Sequence, residues 1–235
     1  MNRRGTNPLI NRLIAIQVGG EHAGVEEQLR RLILSGGAPP GTHIPPGEVA
    51  DVFQVSPIPV REALKTLVGE GLVVHQRNSG YRVSQMSAPE LKELYFVRGI
   101  LEQAALARAV DRITDSDIAS ARACHEQLLA ATEIHDGKAF HDVSRQFHVC
   151  LTAPCAMPRL LGMFESTWNL TEPFQIMRTV DAATHQALND DHAAMLTAVT
   201  ERDADAVLAV SAAHHSRLEA AILAAADRRA TRTQE

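Results

Sequence analysis

The chain has 235 residues, 45% of them apolar and 22% charged, which suits one or two globular domains and excludes a disordered chain. Its formal net charge of −5 gives no bulk attraction for nucleic acid, so any such role must rest on local placement of charge. There is no run of eighteen apolar residues, which excludes a membrane-spanning helix, and the stretch Leu9–Val18 is too interrupted by Asn11, Arg12 and Gln17 for a secretion signal. Cys124, Cys150 and Cys155 are odd in number and lack C-x-x-C spacing, as expected of reduced thiols in a cytoplasmic protein.

Residues 1–24 show no clear amphipathic period and contain Gly19-Gly20 and Gly24, so they are expected to form a flexible arm. From Val25 to Ser35 the residues Val25, Leu29, Leu32 and Ile33 recur at helical spacing, and Gly36-Gly37 stops the helix. Pro39, Pro40, Pro45 and Pro46 make residues 38–47 a stiff connector. A short helix over Glu48–Phe53 and a turn at Gln54-Val55-Ser56 precede a helix over Ile58–Glu70, with an apolar stripe of Val60, Leu64, Leu67 and Val68. Ser56 is placed as its N-cap, and Pro57 and Pro59 suit a first helical turn. Residues 71–76 and 81–83 alternate like two strands around the turn Arg77-Asn78-Ser79-Gly80. This order of elements is that of a winged helix-turn-helix, in which the helix after the turn enters the major groove and the hairpin touches the DNA backbone or minor groove. A small α+β domain with no DNA role has the same pattern.

The chain divides near residue 87. Residues 25–87 carry six basic and six acidic residues, whereas residues 88–227 carry eleven and twenty, a net charge of −9. The second part has helix breaks at Pro89, Thr114-Asp115, Asp136-Gly137, Pro154–Pro158, Asp181 and Arg202-Asp203, with no strand signal. About six helices in an all-α bundle follow. The fold class is therefore mainly α: a winged helix-turn-helix over residues 25–84, a helical bundle over 88–227, and a frayed tail over 228–235.

Two stretches carry a family resemblance. Residues 55–83, VSPIPVREALKTLVGEGLVVHQRNSGYRV, resemble the DNA-binding domain of GntR-family bacterial transcription regulators, with P-V-R-E-A-L, the following E-G-L and Gly80 in order. From residues 87–110, SAPELKELYFVRGILEQAALARAV, onward the chain is similar to the FCD effector domain of the family's FadR-type branch. The family's turn usually reads S-R-T-P-V-R; here Ser56-Pro57-Ile58-Pro59-Val60-Arg61 keeps only its second arginine, and a further DNA-contacting arginine aligns with Gly47. The resemblance implies that Arg61 pairs with guanine or phosphate, while Pro57 and Ile58 offer apolar contact, for instance to a thymine methyl. Ser56, Lys65, Arg30 and Arg31 are the phosphate candidates, and His75, Arg77, Asn78 and Gly80 those of the wing. A solvated surface is the plain alternative for each.

FCD domains commonly hold a divalent metal through an Asp four residues before a His, with two further histidines on the last two helices. The resemblance places those histidines at His148, His192 and His214, and Ser144 where the Asp would stand. Periodicity agrees: His192 shares a stripe with Leu188, Met195 and Val199, and His214 with Val207, Leu218 and Ile222, while His148 borders the Phe140–Phe147 stripe and His215 falls nearer solvent. Three inward histidines make a site for zinc, nickel or manganese with open positions, of lower charge without the Asp. Three separately hydrogen-bonded core histidines are the alternative. Arg98 lies on an inward row with Leu91, Leu94 and Leu101, and a buried guanidinium needs an anion. The pair Arg98–Glu102 matches the family, and the resemblance implies that this anion is the carboxylate of an effector, held with Glu102 and Ser144 nearby; the plain alternative is Glu102 itself one turn on.

The expected function is that of a homodimeric, ligand-responsive transcription regulator, most often a repressor in this family. It would bind pseudo-palindromic operator double-stranded DNA and a small carboxylate effector, with Ser84–Pro89 as the hinge and no membrane partner. Two other classes remain: a metal-dependent hydrolase, for which no well-placed general base is found, and an effector-independent DNA- or protein-interaction factor.

Overall fold

The computed structural model describes residues 7–18 and 23–232, in two compact units, the first made of the chain up to Met86 together with Glu172–Phe174 and the second of the remainder from Ser87 on. The first unit begins with a helix, α1 (Pro8–Val18), where the sequence suggests a flexible arm. Leu9, Ile10 and Leu13 are buried in the unit's core, and Asn7 Nδ2 donates to the His43 carbonyl at 2.8 Å. Three inward positions are too few to raise a periodic signal, and tertiary contact stabilises a segment this short. The rest of the expected arm, residues 1–6 and 19–22, lies outside the described residues.

Helix α2 (Val25–Leu34), α3 (Pro46–Phe53) and α4 (Pro57–Gly69) follow. Leu29, Ile33, Val49, Val60, Leu64 and Leu67 close over one core, whereas Val68, expected on the same stripe, is exposed. The turn between α3 and α4 is made by Gln54 in the left-handed region (φ 54°), whose N–H reaches the last carbonyls of α3. Ser56 occupies the N-cap of α4 but its side chain makes no cap bond. A cap oxygen ordinarily accepts from the second or third helical N–H, and the third residue here is Pro59, which has none.

The wing is β2 (Val73–Gln76) against β3 (Gly80–Val83), with Val73 opposite Val83 and Gln76 opposite Gly80. Asn78 (φ 69°) and Gly80 (φ 76°) supply the positive φ that the tight connection requires. A third strand, β1 (His43–Ile44), pairs antiparallel with the outer edge of β3, giving the order β1-β3-β2. It lies in the stretch expected to be only a proline connector; two residues are too short to alternate visibly.

The second unit contains six α-helices among the described residues: α5 (Ala88–Ala109), α6 (Asp115–Glu133), α7 (Gly137–Thr152), α8 (Pro158–Thr171), α9 (Ala182–Glu201) and α10 (Ala204–Arg232). Their starts are set by short polar side chains that satisfy free helical N–H groups. Ser87 with Glu90, and Thr114 with Asp117, form reciprocal capping boxes, while Asp136 and Asp181 accept from the first turns of α7 and α9. Between α8 and α9 the chain makes 3₁₀ turns at Glu172–Phe174 and Ile176–Arg178, all buried except Arg178. Helix α10 runs to Arg232, past the expected end near residue 227. No helix of the described residues is long and apolar enough to cross a membrane.

Candidate functional site

In the first unit the start of α4 is an exposed, mostly apolar surface. Ser56, Pro57, Ile58 and Pro59 are all exposed, with Ile58 at 71% of its full accessible area. Arg61 stands one turn beyond Ile58 on the same face, exposed and without an ion pair among the described residues. Lys65 is exposed with its Nζ 2.8 Å from Glu62, an ion pair that solvent screens. In the wing His75 is exposed and packs against Tyr81, ring centroids 4.5 Å apart, while Arg77 and Asn78 are exposed and Gly80 half-buried. Arg31 is exposed and lies 2.7 Å from Glu27.

Arg30 is placed differently from expectation. Its Nε and Nη2 donate to the two carboxylate oxygens of Glu70 at 3.1 and 2.5 Å, and Nη2 also reaches Glu26 at 2.8 Å. Paired hydrogen bonds of this fork geometry raise its pKa and tie α2 to the end of α4. Arg30 is thus an internal clamp, not a free phosphate contact.

In the second unit α7, α9 and α10 bring His148, His192 and His214 together. Each is at most 1% exposed, and a ligand nitrogen from each lies within 4.8 Å of the other two. Burial comes first in lowering the pKa of His192, with the neighbouring histidines adding to it, and it is held well below its usual value. His214 is lowered to about 4, again chiefly by burial, against the opposing pull of Asp191. Both rings are therefore neutral at pH 7, the form that ligates a cation. Neither nitrogen of His192 has a hydrogen-bond partner among the described residues, a costly state for a buried imidazole. A cation taking the lone pairs of three neutral imidazoles fits this donor set, and no carboxylate belongs to the cluster.

Carboxylates stand behind two of the three rings. Glu102 of α5 is fully buried: Oε1 accepts from His148 Nδ1 at 2.8 Å and Oε2 from His215 Nε2 at 2.7 Å. Burial alone raises its carboxyl, but the two histidines outweigh that and hold it well below the usual range. An ionised carboxylate only accepts, so His148 carries its proton on Nδ1 and turns Nε2 to the cluster. Asp191, gripped by Arg217 at 3.0 and 3.3 Å, lies 3.4 Å from His214 Nδ1 without hydrogen-bond geometry.

Beside the cluster is a cavity of about 10 Å³, lined by Arg98, Ser144, His148 and Trp168 among others, with room for about one water. The Arg98 guanidinium carbon stands over the rings of both Tyr95 and Trp168, 3.9 Å from each centroid. It donates through Nη1 to Thr171 Oγ1 at 3.3 Å, and no carboxylate partners it among the described residues. The cation is stabilised by aromatic faces instead.

These positions correct two expectations. Glu102 does not pair with Arg98 and does not face the cavity, because both its oxygens are committed to histidines. His215 is buried on Glu102 instead of near solvent, packed so closely on α5 that a Cβ at Gly99 would lie 3.0 Å from its ring. His141 also lines the cavity, because 141, 144 and 148 share one face of α7. Tyr95, Trp168 and Thr171 were not singled out by sequence reasoning; the spacings Tyr95–Arg98 and Trp168–Thr171, three residues each, are the signal they carry.

Residues 93–217 match the FCD domain family, and residues 22–83 the family of bacterial regulatory proteins, gntR family. The chain is 29% identical over 175 residues to the Nta operon transcriptional regulator of Aminobacter aminovorans, covering 74% of this chain and 81% of that one. It is 28% identical over 179 residues to the HTH-type transcriptional repressor RspR of Escherichia coli (strain K12), covering 76% and 78%. Among solved structures, E. coli McbR/YncC superposes with a TM-score of 0.73 at 25% identity, over 85% of this chain and 95% of the other.

Proposed function

Because the chain belongs to the GntR family of bacterial transcription regulators and carries an FCD domain, we propose that it is a repressor controlled by a small organic acid. The family is one of DNA-binding regulators, not of enzymes. In the proposed reading Arg61 and the exposed apolar start of α4 enter the major groove, and Arg77 and Asn78 of the wing meet the backbone or minor groove. The acid binds in the second unit beside Arg98 and Ser144. A divalent cation of the zinc, nickel or manganese kind is held by His148, His192 and His214, where it would offer open positions to a carboxylate.

The observation that carries this reading is Arg98 itself: a buried cation at the wall of a cavity, with no anion of its own protein against it. Two copies of the chain bind one pseudo-palindromic operator. Helices α5 and α8 each leave large apolar side chains exposed (Phe96, Val97 and Ile100 on α5, Met163 on α8), as a homodimer interface requires. The name of RspR supports repression, and acid binding alters DNA affinity only through a difference between two states of the protein.

A thermal-shift panel of small carboxylic acids, with and without added zinc, nickel or manganese, tests the effector and the cation together. Stabilisation of the protein by an acid, lost in Arg98→Ala, is expected. No stabilisation by any acid would leave an effector-independent DNA-binding factor.

A further inference from the structure

The first turn of α4 lacks most of the donors that a helix start offers to DNA. Pro57 and Pro59 are its first and third residues and carry no N–H, so of the first three backbone donors only that of Ile58 is left for a phosphate. In place of donors the turn presents carbon. Val55 is 40% exposed and Ile58 71%, with Pro57 and Pro59 exposed on either side of Ile58.

The fold does not account for Ile58. Val60, Ala63, Leu64 and Leu67 are the residues that α4 buries, and Ile58 lies on the opposite, solvent-facing row with Arg61 and Lys65. Its side chain leaves water only against something that binds this row. In the major groove the group that suits an aliphatic tip is the 5-methyl of a pyrimidine, the one carbon group that the base edges of ordinary DNA present there. Adenine, guanine and unmethylated cytosine would offer Ile58 polar edges, which it can only desolvate. Arg61, three residues on, stands about 4.5 Å further along the helix axis, which corresponds to one or two base-pair steps of about 3.4 Å. Guanine is the base whose edge takes an arginine fork.

Resting on the reading of α4 as the helix that enters the major groove, we propose that Ile58 determines specificity by packing on the 5-methyl group of a pyrimidine, one or two base pairs from the guanine taken by Arg61. Thymine always carries that methyl, whereas cytosine carries it only when methylated at C5. The contact therefore recognises the methyl and not the base pair, and the hold on DNA responds to cytosine methylation at that one position.

The test uses the full-length protein and duplexes copied from a genomic fragment that it selects. Each thymine of a half-site is replaced in turn by deoxyuridine, which removes one methyl group and leaves the pairing edge as it was. At one thymine per half-site the replacement is expected to weaken binding by about three- to fivefold, the effect of one methyl no longer taken out of water. A guanine within two base pairs of it should be the one whose replacement by 7-deazaguanine weakens wild-type binding and has no effect on Arg61→Ala. Ile58→Ala should bind the thymine and deoxyuridine duplexes equally, with the melting temperature of the wild type, because the side chain is exposed. Exchange of that T·A pair for C·G should weaken wild-type binding, and C5 methylation of the new cytosine should restore it by the same three- to fivefold. No thymine that responds to loss of its methyl, a response that persists in Ile58→Ala, or a methylcytosine bound no better than cytosine would each overturn the inference. In those cases, selective binding that is lost in Arg61→Ala still upholds α4 as the reading helix. If no fragment is selected over bulk DNA, or if Arg61→Ala and Ile58→Ala bind the selected fragment as the wild type does, that reading falls and this inference falls with it.

Discussion

The carboxylate of Glu102 fixes the imidazole of His148: Oε1 accepts from Nδ1 at 2.8 Å, which leaves Nε2 as the lone pair facing His192 and His214. A carboxylate behind a ligating histidine sets its tautomer and orientation and raises its basicity. Glu102→Gln keeps the shape and removes the charge. Its affinity for zinc, read by competition with a chromophoric chelator, is expected to fall by about 10- to 100-fold while the far-ultraviolet circular dichroism stays unchanged. Unchanged affinity would mean that His148 is not a ligand or that Glu102 does not hold it.

The histidine cluster also makes stability depend on pH. The pKa of His214 is lowered in the fold to about 4 from an ordinary 6.5, and that of His192 is held well below the same ordinary value. As pH falls below about 6.5 the unfolded chain takes up protons that the folded chain refuses, so stability is lost. Glu102, held low in the fold, adds to the same trend only once the pH approaches its unfolded value near 4.5. The melting temperature is thus expected to fall steadily from pH 7 to 5, and His192→Asn to flatten that slope. Zinc binding competes with the same protons, so the rise in melting temperature on adding zinc should be larger at pH 7.5 than at pH 5.5.

Arg61 and Arg30 separate reading DNA from holding the domain together. Arg61→Ala should weaken operator binding by about 1–3 kcal/mol and lower the slope of affinity against salt, with little change in melting temperature. Arg30→Met removes the clamp between α2 and Glu70, so it should lower the melting temperature and leave the salt slope as it was. Salt titrations by fluorescence anisotropy on a labelled operator fragment distinguish the two. The opposite pattern would place Arg30 on the DNA.

Helix α1 belongs to the core of the first unit, not to an arm. Leu13 is fully buried there, and Leu13→Ala should cost about 2–5 kcal/mol of stability, the range for a leucine truncated in a packed core. Urea unfolding measures it. A cost below about 1 kcal/mol would return residues 8–18 to the status of a loosely attached segment.

The helices were legible where a stop signal and a periodic stripe coincide, as at Gly36 after α2, Asp136 before α7 and Asp181 before α9. They were not where a helix rests on the three buried residues Leu9, Ile10 and Leu13, as α1 does among its described side chains, or where a two-residue strand borrows its stability from a partner, as in β1. The histidines were legible from family likeness and from their stripes. Their support was not: Glu102 shares a helix with Arg98 at a spacing that invites an ion pair, and only the position of α7 and α10 shows that His148 and His215 take it. Trp168 could not be found from sequence because its role arises from what stacks on it, 70 residues away in the chain.

The central claim is that an acid bound at Arg98 governs the hold on DNA. A genomic fragment selected by the purified protein, labelled and titrated at fixed salt with and without the acid that most stabilises the fold, tests it most directly. The account predicts at least a tenfold change in operator affinity for the wild-type protein, and no change for Arg98→Ala, whose affinity without acid stays near that of the wild type. Operator binding indifferent to every stabilising acid, or an equal response in Arg98→Ala, would contradict it.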